Sequence, residues 1–218
     1  DREAGGFFSS QYADTDYYST DATGRQQLAQ PPVDRSIYSD STAKMAGAFL
    51  HAAAVFEDSS LLEVAATSLE RVVGDTYQRG HGIAHDVDGG QAVRGLLADQ
   101  VLVSDSLLDL HAATDREVYL DIAQELMRFS LRALWDTHQG GFYDRVVAED
   151  DVGLLRQPLK MFVDNCSAAR VLTRLGHLTA HGEFREKAVA TLASQRSGAR
   201  EHGVLAASWV LAALELDK

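Results

Sequence analysis

The sequence predicts an all-α protein, and within that class an α/α toroid, here a partial one of about three helical hairpins plus an extra helix. Three observations carry the prediction. Only 3 prolines interrupt 218 residues, and long Ala/Leu/Val runs favour helix over strand. Stretches apolar on nearly every face alternate with stretches apolar on one face, which reads as inner helices surrounded by other elements and outer helices packed against them. The pattern also repeats. Ala65, Ala123 and Ala188 lie 58 and 65 residues apart, and Leu61, Tyr119 and Phe184 each stand four residues before one of them. A period of this size, one helix pair each, marks stacked helical hairpins. Inner helices this apolar suit a curved or closed ring better than a flat solenoid.

The elements follow in order, within one domain. Residues 1–38 read as a loop-rich opening segment, and 39–218 as the hairpin repeats. Gly5-Gly6-Phe7-Phe8 is a Gly-Gly-aromatic loop without the helix expected before it, so the chain reads as a piece of a longer protein. Tyr12 to Asp34 is polar, ends near Pro31-Pro32 and is expected to be a connector. Ser39–Phe56 is the first inner helix, carrying Met45, Ala48, Phe49, Ala52 and Ala53. Ser60-Leu-Leu-Glu63 has the form of a capping box, and the outer helix after it uses Leu61, Leu62, Ala65, Ala66, Leu69 and Val72. Gly80-His81-Gly82-Ile83 is its loop, and Gly89 to Leu97 connects to the next copy.

The stretch from Asp99 to Arg145 is the most complete unit. It has an inner helix, a second capping box at Thr114–Glu117, an amphipathic helix and the loop Gly140-Gly141-Phe142-Tyr143. The third copy begins near Asp164, with Ala168, Val171, Leu172 and Leu175 inside. Its outer helix carries Phe184, Ala188, Val189 and Leu192, and Ala180-His181-Gly182 stands where a capping box is expected. Gly203 to Leu216 is one more apolar helix.

Composition narrows the function. A net charge of −12 argues against nucleic acid, whose phosphates repel an acidic surface. No apolar run is long enough to span a membrane, and no charged-then-apolar leader is visible. Cys166 is the single cysteine, so there is no disulfide framework and no thiol metal cluster. A reducing, cytoplasmic compartment fits. Cys166 reads as a buried, inert thiol.

Asp40, Asp99 and Asp164 recur at separations of 59 and 65, each at the start of an inner helix. One reading is helix capping, since Asp suits the positive helix end. The other is functional. The inner helices of a toroid run parallel, so their starts gather at one mouth, where the Gly-aromatic loops also arrive. On that reading Asp99, Asp164 and His85 are candidate catalytic residues. Phe7, Gln11, Asp40, Gln100, Tyr143, Asp144 and Asn165 are candidate substrate-binding residues, with Phe8 beside them. Carboxylates, amides and aromatic faces together suit a sugar-like ligand, and paired carboxylates suit acid–base work. His81 and His85, with Asp86 and Asp88, have metal-like residue types, but their glycines suggest a loop and no metal site is assigned. No motif calls for a cofactor.

These residues resemble a known family. GGFFSSQYADTDYY is similar to its GGFYSSQDAD stretch, and PPVDRSIYSDSTAK to its P-x-D-R-x-x-Y-x-D-W-N-A segment. LLADQVLVSDSLLDLHAATDREVYLDIA resembles its L-x-D-Q-V helix pair, and GGFYDR and PLKMFVDNCSAARVLTRLGHLT its GGFYD and K-P-x-x-D-N segments. The family is the thioredoxin-domain-containing, spermatogenesis-associated-protein-20-like group. The resemblance implies the C-terminal part of a toroid similar to N-acylglucosamine 2-epimerases and six-hairpin glycosidases. It also implies a thioredoxin-like domain and early hairpins elsewhere in the parent protein, as partners of this part. Two departures from the pattern stand out: Ser41-Thr42 replaces Trp-Asn, and Tyr12 replaces an acidic residue. Two functions are therefore expected as alternatives. One is a carbohydrate-related domain, epimerase-like or glycosidase-like, with its ligand at the mouth. The other is a non-catalytic helical module that packs against the rest of its protein or a protein partner.

Overall fold

In a computed structural model, residues 1, 3–87 and 93–217 are described. The described residues form β1 (Ser10–Gln11), α1 (Thr15–Ser19), α2 (Ala22–Arg25), β2 (Val33–Asp34), α3 (Ser39–Phe56), α4 (Ser59–Thr76), α5 (Leu97–Thr114), α6 (Glu117–Ala133), α7 (Phe162–Thr179), α8 (Gly182–Gln195) and α9 (Ala206–Leu216). Short 3-10 turns stand at Gly153–Arg156 and Ala199–Leu205. Asp88 and the first part of the Gly89–Leu97 connector lie outside the described residues.

Three hairpins, α3–α4, α5–α6 and α7–α8, stack side by side, with α3, α5, α7 and α9 as successive inner neighbours. The expected alternation of helix types is present. The inner helix α5 buries Val101, Val103, Leu107, Leu108 and Leu110 on several faces, whereas α6 buries one face through Tyr119, Ala123, Leu126 and Met127. The core is continuous across the hairpins, and Phe142 and Phe184 are among its fully buried side chains. Burying a ring of this size contributes roughly 2–3 kcal/mol.

The turns between inner and outer helices differ from the expected capping boxes. Each inner helix instead ends on a left-handed residue: Glu57 (φ 52°), Asp115 (φ 56°) and Ala180 (φ 55°). One extended residue follows, and the outer helix begins. Thr114 is still inside α5, and its hydroxyl donates back to the Leu110 carbonyl at 2.7 Å, so it is not free to cap α6. In the first hairpin the cap is Asp58, which accepts from the Ser60 N–H at 2.9 Å. Arg116 and His181 cap without a side-chain bond.

Other expectations are corrected at the edges. The Tyr12–Asp34 stretch is more than a connector. It holds α1, α2 and β2, which pairs with β1 just before the stretch, and Asp14 and Asp21 are helix caps. Met45 and Val189 face solvent rather than the core, being 43% and 48% exposed. No described helix is long and apolar enough to cross a membrane.

Candidate functional site at the inner-helix mouth

The mouth is built by the loops that follow α4 and α6. Each loop is tied to the start of its own hairpin's inner helix: the Ser39 N–H donates to the His85 carbonyl, and the Leu97 N–H to the Asp144 carbonyl, both at 2.8 Å. Each is also gripped by the next inner helix. Gln100 accepts from the Ile83 N–H at 2.8 Å and donates to the Ile83 carbonyl at 3.0 Å. Asn165 does the same to Phe142, at 2.7 and 3.0 Å. Both amides also donate to a carbonyl one turn back, Leu96 for Gln100 and Met161 for Asn165. Gly82 and Gly141, at φ 71° and 78°, let the loops come this close. A β-carbon on Gly82 would stand 2.3 Å from the Gln100 Oε1. Gln100 and Asn165, expected to bind substrate, are fully buried and spend their amides on backbone.

Gln100 and Asn165 are each the fourth residue of their helix, and so is Thr42. Thr42 is buried too, but its hydroxyl has no partner among the described residues. Asp40 is the second residue of α3, while Asp99 and Asp164 are the third residues of α5 and α7. None of the three is the N-cap. Those positions belong to Tyr38, Leu96 and Met161, which make no side-chain cap bond.

Asp99 and His85 meet. The His85 Nδ1 lies 2.9 and 3.2 Å from the two oxygens of Asp99. Asp99 is fully buried and the His85 side chain is 31% exposed, so the ring spans from the interior to the mouth. Tyr38 stacks on it with centroids 4.9 Å apart and planes 20° apart, which fixes its orientation. Burial raises the Asp99 carboxyl to about 6, against the opposing hydrogen bond from His85. Asp40 completes the group. Asp40, His85 and Asp99 bring one ligand atom each within 4.8 Å of one another, so these are the residues that could hold a metal ion at the mouth. The His81–His85 pair weighed from the sequence is not that group.

Asp164 faces the same space. Burial raises its carboxyl above the usual range; Lys44 lowers it, while Asp144 and Asp40 push it further up. Lys44 also stands 4.0 Å from Asp40. Asp144 is committed in part, since its Oδ1 accepts from the Leu159 N–H at 2.7 Å.

The remaining candidates are engaged in other contacts. Tyr143 lines a separate hollow of about 510 Å³ with Asp136, His138 and Lys160. Its hydroxyl donates to Asp136, and its ring lies under the Lys160 ammonium. Lys160, 2.6 Å from the same carboxylate, holds Asp136 well below the usual range. Gln11 is used within the opening segment, accepting from the Tyr18 hydroxyl and donating to the Pro31 carbonyl. Phe7 packs on Phe49 with centroids 5.4 Å apart, and Phe8 lies under Arg35. Cys166 is buried, and burial pushes its thiol up to about 11, consistent with an inert side chain. Sequence reasoning missed Tyr38 and Lys44. Tyr38 had a signal as the tyrosine of the P-x-D-R-x-x-Y segment, and Lys44 only its closeness to Asp40.

No protein-family model matches the chain. Over 45% of its length it is 31% identical to spermatogenesis-associated protein 20 of Rattus norvegicus, and the match spans 13% of that protein. The solved structures extend further. A cellobiose 2-epimerase from Spirochaeta thermophila superposes on 90% of this chain and 48% of its own, with a TM-score of 0.67 at 18% identity. A glycoside hydrolase family 76 α-mannanase from Bacteroides thetaiotaomicron covers 75% of this chain and 45% of its own, with a TM-score of 0.65 at 19% identity. The fold is an α/α toroid. The chain spans about half the length of these solved toroids, as a partial ring of three hairpins and a further helix would. An α-1,6-mannanase from Salegentibacter in complex with α-1,6-mannotetrose is similar over 72% of the chain, with a TM-score of 0.63 at 16% identity.

Proposed function

We propose that this is a carbohydrate-acting toroid domain whose ligand sits at the inner-helix mouth over His85, Asp99, Asp40 and Asp164. The observation that carries the reading is the buried Asp99 carboxylate bonded to the His85 Nδ1, with the rest of the ring at the mouth. A carboxylate behind an imidazole orients the ring, which suits a general acid–base. Asp164, its carboxyl raised by burial, is the second proton carrier, and Asp40 a hydrogen-bonding group for ligand hydroxyls. Such a set suits proton abstraction beside the carbonyl of an open-chain sugar, as in an epimerase. Paired carboxylates also suit general acid–base hydrolysis of a glycoside. The similar solved toroids are named as a cellobiose 2-epimerase and mannan-degrading enzymes, which supports a sugar as the ligand.

Titration calorimetry with mannose, N-acetylmannosamine and cellobiose tests the reading. Binding of at least one is expected, lost in His85→Ala and in Asp164→Asn while the melting temperature stays within a few degrees. Heats indistinguishable from dilution for all three would sink it.

A second reading has its own observation. Val55 and Phe56 at the end of α3 are 76% and 73% exposed, and Leu214 on α9 is 60% exposed. Apolar faces at both flanks of the stack suit a helical module closed by the early hairpins of its parent protein, with a thioredoxin-like domain attached. On this reading the module is non-catalytic, so it is an alternative to the carbohydrate-acting one.

A further inference from the structure

The inner helices carry a second register of polar residues below the mouth. His51, Asp109 and Arg174 are each the thirteenth residue of α3, α5 and α7. With Asp105, Arg170, His177 and Glu215 they border a hollow of about 390 Å³, to which α4, α6 and α8 contribute nothing. It therefore lies on the side of the inner helices turned away from the outer ones. Arg174 reaches Asp105 and Asp109, both at 2.6 Å, and Arg170 grips Glu215 with two bonds of 2.7 and 2.9 Å.

We propose that this hollow takes the far end of a linear, neutral oligosaccharide whose other end lies at the mouth; the inference rests on the carbohydrate reading above. Three observations carry it. First, the two guanidiniums are paired with three carboxylates, so the hollow keeps only a small net negative charge and presents many fixed donors and acceptors to hydroxyls. Second, that capacity is not exhausted. The Arg174 Nε has no acceptor among the described residues. The His51 Nε2 stands 3.6 Å from the Asp109 Oδ2, beyond hydrogen-bond reach, so both atoms remain open to a ligand. Third, the two sites are joined. Asp40, Lys44, Ala48 and His51 are spaced by four, four and three, and so form one stripe along α3. The eleven residues from Asp40 to His51 rise about 16 Å. Ala48, small and exposed between them, leaves the way clear. A single sugar ring fills only one end of a path this long.

Calorimetry on the whole chain, comparing glucose with cellotetraose and mannose with α-1,6-mannotetrose, decides the matter. In at least one series the tetrasaccharide is expected to bind tenfold or more tightly than its monosaccharide. In the His51→Ala/His177→Ala double variant that ratio collapses towards one, with monosaccharide binding unchanged. Both histidines are exposed, so their loss leaves the core intact, and an unchanged melting temperature verifies this. Equal affinity for long and short ligands overturns the inference and leaves the mouth as a monosaccharide site. A length ratio that survives both substitutions overturns it as well. Absence of binding by all four sugars overturns it, and the proposed function falls with it when N-acetylmannosamine and cellobiose also fail to bind.

Discussion

In the loop after α4, Gln100 grips Ile83, and the residue two places on is His85. In the loop after α6, Asn165 grips Phe142, and the residue two places on is Asp144. The framework is the same: a left-handed glycine, a clamped apolar residue, and a carbonyl that accepts from the start of the hairpin's own inner helix. The side chains on that framework differ. His85 meets the buried Asp99, whereas Asp144 is drawn off to the Leu159 N–H, and the Tyr143 beside it turns to Asp136 and Lys160. The comparison separates what holds the ring from what the ring displays. The clamp is a packing device, repeated because each hairpin must be joined to the next. The residue two places beyond it is free to vary, and the proposed chemistry stands there.

Removing a clamp is the harshest way to break the comparison. Gln100→Ala leaves the buried N–H and carbonyl of Ile83 without their side-chain partner. At about 1–3 kcal/mol for each unsatisfied group, a loss of roughly 3–5 kcal/mol is expected in urea denaturation. Asn165→Ala should cost about as much, since the bonds are equivalent. A loss below about 1 kcal/mol in either would mean that the loops are held by something else.

The next effect separates His85 from Asp144. Burial lifts the Asp99 carboxyl to about 6, above the unfolded value of about 3.9. Between these values the folded chain holds more protons than the unfolded one, so stability falls as pH rises from about 4 to about 6. The fall is roughly 3 kcal/mol. Asp99→Asn cannot ionise and should flatten this slope, as read by melting temperature against pH. Asp144→Asn should leave it in place. An unchanged slope in Asp99→Asn would remove Asp99 as its source.

A third test asks whether the opening unit can be brought into line with its neighbours. Thr42 holds the clamp position there, its hydroxyl unpartnered among the described residues, and Gly5-Gly6-Phe7 is that unit's version of the loop. The resembled family has Asn at this place. Thr42→Asn is expected to stabilise the chain by about 1 kcal/mol if the amide reaches the Phe7 backbone, and Thr42→Val by less, through loss of the orphan hydroxyl alone. Hydrogen exchange at the Phe7 amide should slow only in the Asn variant.

The smallest effect concerns the turns. Ala180 is in the left-handed region at φ 55° without a side chain that bonds locally. Ala180→Gly should stabilise by about 0.5–1 kcal/mol by relieving that strain. A destabilisation would show instead that the unfolded state's gain in freedom outweighs the relief.

Much of the architecture was legible because it is periodic. Ser39–Phe56 could be bounded from its apolar pattern, and the recurrence of Ala65, Ala123 and Ala188 placed three outer helices in register. The turns were read less well. Thr114–Glu117 has the composition of a capping box, but the chain leaves α5 one residue later through Asp115, and no short-range pattern distinguishes those outcomes. The site was legible in part. The acidic triplet led to Asp40, Asp99 and Asp164, and His85 was grouped with them. The roles of Gln100 and Asn165 were not legible, because an amide looks the same in a sequence whether it faces a ligand or a buried carbonyl.

By itself, then, the sequence determined the helix content, the hairpin repeat and the gathering of inner-helix starts, because periodicity and apolar patterning act locally and recur. Only the tertiary structure decided that Asp99 lies against His85, that the amides are clamps, and that Tyr143 belongs to another hollow. Those outcomes depend on which residues of separate hairpins come within about 3 Å of one another, a distance set by how the hairpins pack.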